Sequence, residues 1–223
     1  MTNGRNKLPS LSAALAGIPA GIQMAGPWGG RRQLFVKFAS EAETATIYTS
    51  DALRGEVMRL TKRTRYHSVA IVGRDSLVED DFLVAAFSDA VPIPVMIDHD
   101  GQWPDALGRL LPHLAMAQVT LDGTEGVAAF EHTRKSIRLS AEHQVAHAVA
   151  IIPSETVSDA VLLRIVEQIH QASADTQIVV HTAAAHPSEH DRRWALWLEQ
   201  AMGMHADVRV LPKWPVDGAR EAR

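Results

Sequence analysis

Leu34-Phe35-Val36-Lys37-Phe38 and Val69-Ala70-Ile71-Val72-Gly73-Arg74-Asp75-Ser76 are the stretches whose reading decides the fold. Each begins as a short apolar run, rich in β-branched or aromatic side chains, and opens into a polar loop, as a buried strand and its exit do. Between them, Ala52 to Thr64 places Leu53, Val57 and Leu60 at helical spacing. Asp51 is the expected N-cap, and Lys62, Arg63 and Arg65 gather at the carboxyl end, where the helix dipole favours cations. The unit reads β-loop-α-β-loop. In a parallel sheet both loops emerge at one edge, because successive strands present their carboxyl ends on the same side, and function is expected there.

The alternation continues outward. Strands are predicted at Val95 to Ile97, Met116 to Leu121, Gln144 to Ile152, Gln177 to His181 and Val208 to Pro212. Helices are predicted from Asp80, from Trp103 to Leu114, from Val127 to Leu139, from Ser158 to Ala172, and from a Ser188 cap through Trp194 and Trp197. Strands alternating with helices imply an α/β fold with a parallel sheet covered by helices.

Composition narrows the function classes. The 223 residues suit one domain with a substantial core. A net charge of −4 gives no overall positive field for nucleic acid or an anionic membrane, so neither partner is expected. No cysteine is present, which removes disulfides, thiolate metal sites and cysteine nucleophiles together. The apolar run from Leu11 to Ile22 is too short for a membrane span and is interrupted by Gly17 and Pro19, so a cytoplasmic protein is expected. Residues 1–21 are expected as a flexible N-terminal segment, 22–216 as a single α/β domain and 217–223 as a tail.

The order Gln23-Met24-Ala25-Gly26-Pro27-Trp28-Gly29-Gly30-Arg31, then Phe35-Val36-Lys37-Phe38-Ala39, then Tyr48-Thr49-Ser50-Asp51, then Val72-Gly73-Arg74-Asp75-Ser76 resembles the radical-SAM family of 7-carboxy-7-deazaguanine synthases. That family carries a Q-G-E-G-P-x-x-G-R element, a three-cysteine loop ending in C-D-T and a G-G-E-P turn. The resemblance implies a partial (β/α)6 barrel. It also locates three degenerate cluster positions, Glu41, Ala45 and Tyr48, where the family has cysteines that hold an iron–sulfur cluster. Thiolates hold such clusters, so no iron–sulfur cluster is expected and reductive cleavage of S-adenosylmethionine is argued against. The expectation is a pseudoenzyme: a ligand-binding protein, or a regulatory subunit for a partner enzyme. No cofactor is expected, with S-adenosylmethionine or a divalent cation as the alternatives.

The candidate ligand-binding residues are Gly73, Arg74, Asp75 and Ser76 after one strand, Asp98 and Asp100 after the next, and Asp122 after a third. A barrel brings strand ends to one mouth, where carboxylates can hold a divalent ion or a ligand amino group. Alternatively these residues only cap turns. A non-radical enzyme using Asp75, Asp98, Asp122 and His99 around one divalent ion is the second hypothesis. A structural homodimer presenting Trp194 or Trp197 is the third. Eleven histidines, among them His143 with His147 and His181 with His186 and His190, lack a zinc pattern such as H-E-x-x-H. Gly26 to Arg32 reads either as an anion cradle or as a turn into the first strand.

Overall fold

A computed structural model of the chain describes residues 11–40, 43–73, 76–124, 127–154, 156–182 and 192–212, with 127–129 as backbone only. Two antiparallel strands, β1 (Ser12–Gly17) and β2 (Ala20–Ile22), lead into β3 (Arg32–Phe38) and pair along it. Residues 12–22 are therefore built into the sheet, which corrects the expectation of a flexible segment before residue 22 as far as it concerns them. A second correction falls after β3. The presumed open loop contains β4 (Thr46–Thr49), antiparallel to β1 at the outer edge.

Six β/α units follow. β3 leads through β4 to α1 (Ser50–Arg63), then β5 (Ser68–Val72) with α2 (Asp80–Phe87), β6 (Val95–His99) with α3 (Pro104–Leu110), and β7 (Met116–Leu121) with α4 (Val127–Glu142). β8 (Ala146–Ile151) with α5 (Asp159–Ala172), β9 (Gln177–Thr182) with α6 (Arg192–Met204) and a closing β10 (Val208–Pro212) complete the chain. β3 and β5 to β10 are all parallel and lie in sequence order. Each helix packs on the next, from α1 to α6. Right-handed crossovers in unbroken order put every helix on one face and curl the sheet. The result is a partial (β/α)6 barrel, open between β10 and β4.

Strand periodicity divides the side chains into two layers. Val69, Ile71, Val95, Ile97 and Ala117 face the helices in one core, and Val119, Leu121, Val149, Ile151, Ile178 and Val180 in a second. The alternate positions turn inward, where Ala70, Met96, Met116 and Ala148 meet Phe35, Val72 and Trp28. Ala70 and Ala148 leave room in this layer for a further piece of chain. That piece is the turn from Gln23 to Arg31, closed by Gln23 N to Arg31 O (2.9 Å) and Gly30 N to Gln23 O (2.9 Å).

Local signals account for most element ends. α5 begins at Ser158, whose side chain accepts from Val161 N, and its buried stripe is Leu162, Ile165, Val166 and Ile169. The N-cap of α1 is Thr49, accepting from Ala52 N at 3.2 Å, and not Asp51, which instead pairs with Arg54. Ser188 lies outside the described residues. Trp197 is buried and Trp194 partly so, both against the second core. No described helix is long and apolar enough to cross a membrane.

Candidate functional site

The inner layer becomes polar toward the strand carboxyl ends. β6 contributes Asp98, β7 contributes Gln118 and Thr120, and β9 contributes His181. Thr120 Oγ1 donates to Asp98 Oδ1 at 2.6 Å, and Gln23 Nε2 reaches Asp98 Oδ2 at 3.5 Å. Gly26 N donates to His181 Nε2 at 3.1 Å, which ties the turn to β9. Gly26 has φ +78, and a Cβ there would lie 1.8 Å from Gln118 Oε1, so only glycine allows this approach.

Burial sets the protonation states. Removal from bulk water raises the Asp98 pKa, while hydrogen bonds from Thr120, Gln118 and Gln23 hold it back in part. Burial lowers His181, against a hydrogen bond to the Pro212 backbone, so its ring is neutral and its Nε2 is an acceptor. Gln118 is fully buried, with Oε1 unpartnered. Deeper in the bowl, Gln33 donates to Ser68 Oγ (2.8 Å), and its own buried Oε1 has no partner. The interior therefore holds two sealed amide oxygens without partners, Gln118 Oε1 lying under Gly26, and above them a half-buried carboxylate, Asp98, that can accept from further N–H donors.

The residues singled out from sequence are used unequally. Asp98 lies in this layer. Asp100 is exposed, and its Oδ1 accepts from Gln102 N at 2.9 Å. Asp122 is exposed too, with Oδ1 accepting from Thr124 N (2.8 Å) and Thr124 Oγ1 (2.5 Å). Both follow the turn-capping alternative. Gly73 sits at φ +124 against Phe38, and Ser76 begins a short 3-10 helix with its hydroxyl buried. Arg74 and Asp75 lie outside the described residues, as do Glu41, His186 and His190.

Ala45 is exposed before β4, and Tyr48 stands in β4 opposite Ala13, packed on the first core. His99 points away from the bowl into the helix-facing layer. It is buried, with Nδ1 accepting from Gly101 N at 3.2 Å. His147 is bound to Val145 O and Ser173 Oγ. Among the described residues, no three His, Asp or Glu side chains converge as a metal site. The Gly26–Arg32 stretch follows its turn reading, because the Gly26, Gly29 and Gly30 N–H groups are taken by His181, Gly26 O and Gln23 O.

Gln118 and Thr120 were not singled out from sequence, and His181 was considered only as a metal ligand with His186 and His190. The signal available was parity: polar residues two apart in runs otherwise apolar enough to be buried on both faces, as in Met116-Ala117-Gln118-Val119-Thr120-Leu121.

No protein-family profile and no curated protein matches the chain. Among solved structures it is similar to one from Coccidioides immitis named as a fructose-1,6-biphosphate aldolase. The two share 12% identity over 71% of each chain, with a TM-score of 0.30. At that level the likeness assigns no function.

Proposed function

We propose that this chain is a cluster-less, radical-SAM-like barrel protein that binds a small molecule in its bowl, either for its own purpose or as the sensing subunit of a partner enzyme. The observation that carries the binding half is Asp98. A half-buried carboxylate with a raised pKa, braced by Thr120, Gln118 and Gln23, gains most from a ligand that donates N–H groups or carries positive charge. An amino-substituted nitrogen heterocycle satisfies that requirement, and the resemblance to deazaguanine synthases points to the same class.

The other half rests on chemistry. A chain without cysteine offers no thiolate to grip iron. Anaerobic reconstitution with iron and sulfide, followed by incubation with S-adenosylmethionine and dithionite, tests it. The reading expects colourless protein and intact S-adenosylmethionine. Stoichiometric iron with 5′-deoxyadenosine release refutes it.

A further inference from the structure

Outside the bowl, a cavity of about 370 Å³ opens between α3 and α4, within the roughly 300–1,000 Å³ range of small-molecule sites. One wall is Trp103, whose side chain is half exposed and whose backbone is left-handed, with φ 59 and ψ 49. Only one other described non-glycine residue, Gln144, has positive φ. A bulky aromatic held in that region, with its ring toward water, is stabilised neither by local conformation nor by full burial.

The rim facing the indole supplies hydrogen-bond donors. Arg109 meets the buried Asp80 through Nε and lines the cavity. Lys135 spends one N–H on Asp105 at 2.7 Å, a pair exposed enough to be exchanged for a stronger anion. His132 Nδ1 donates to Gln102 Oε1 at 3.0 Å, so that N–H is already used. A flat aromatic face beside two cations, Arg109 paired with Asp80 and Lys135 with Asp105, suits a planar ring carrying an anionic group that displaces Asp105 from Lys135.

We infer that the cavity between α3 and α4 is a binding site for a mononucleotide, its base stacked on Trp103 and its phosphate held by Arg109 and Lys135. The site is independent of the bowl. The test is titration of the full chain with AMP by calorimetry, with adenosine and inorganic phosphate as separate arms. AMP binds saturably, and each half alone binds at least about tenfold more weakly, as loss of a charge-assisted contact implies.

Trp103→Gly, which relieves the left-handed strain, keeps the melting temperature while weakening AMP at least about tenfold, and Lys135→Met does likewise. Asp98→Asn leaves AMP affinity unchanged. The inference is overturned if AMP binds no better than phosphate or adenosine, if nothing saturates up to ~10 mM, or if affinity survives Trp103→Gly.

Discussion

His99 makes stability depend on acid in a way that can be worked from its surroundings. It lies buried on the helix-facing side of β6, with Nδ1 accepting from Gly101 N and Nε2 without a partner. Burial lowers its pKa from 6.5 to about 4, and the Asp100 charge and the Gln102 backbone offset only part of this. Well above pH 6.5 neither folded nor unfolded chain protonates this ring, so it adds nothing to the pH dependence there. Below 6.5 the unfolded chain takes up a proton that the folded chain refuses, and stability falls until the folded ring titrates near 4. The gap of 6.5 less 4 corresponds to about 3 kcal/mol at roughly 1.4 kcal/mol per pKa unit. That is a large part of the ~5–15 kcal/mol that holds a domain folded.

His99→Asn keeps an acceptor for Gly101 N and removes the titration. Urea unfolding of both proteins at several pH values between 7 and 4 compares them, with every other titrating group held in common. The variant starts less stable at neutral pH, because it is smaller, and loses less on acidification. Parallel pH profiles, agreeing within ~0.5 kcal/mol, would refute the assignment.

Three further outcomes follow from the same packing. Asp98→Asn raises the urea midpoint of the ligand-free chain above neutral pH, since the raised carboxyl pKa means ionisation there opposes folding, and the gain shrinks toward acid pH. Gly26→Ala costs ~1–2 kcal/mol for its left-handed backbone alone and more for the collision with Gln118, so unfolding midpoints fall. Gln118→Ala in the same chain recovers part of that loss, a coupling a double-mutant cycle reads directly. On α5, Leu162→Ala lowers stability by ~2–5 kcal/mol through a cavity, whereas Ser158→Ala at its cap costs only ~1 kcal/mol.

The parallel core could be read from sequence because its strands are continuous apolar runs and its helices carry clean stripes. Met116–Leu121 and Val208–Pro212 form at the predicted bounds, and α5 starts at the predicted serine. The antiparallel border could not. Ser12–Gly17 is Ser, Ala and Gly apart from Leu15, and its strand character comes from pairing with β3 and β4, whereas Thr46-Ile47-Tyr48-Thr49 is β-prone but only four residues long and lies inside a stretch that reads as a polar loop. The site was half visible for a related reason. Strand-end position located Asp98, but it equally picked out Asp100 and Asp122, which cap turns. What distinguishes Asp98 is that it still lies within β6, where inward parity places it beside Gln118 and Thr120, while Asp100 and Asp122 fall beyond the ends of their strands; a turn from another part of the chain is also laid over it. Neither is a property of a single motif.

The most direct test of the proposed bowl site is calorimetric titration of the chain with pterin and with S-adenosylmethionine, comparing wild type with Asp98→Asn. At least one of the two is expected to bind the wild type and to lose tenfold or more, about 1.4 kcal/mol, in the variant. Equal affinities for both proteins, or no heat with either compound, would contradict the assignment of Asp98 as the ligand-facing group.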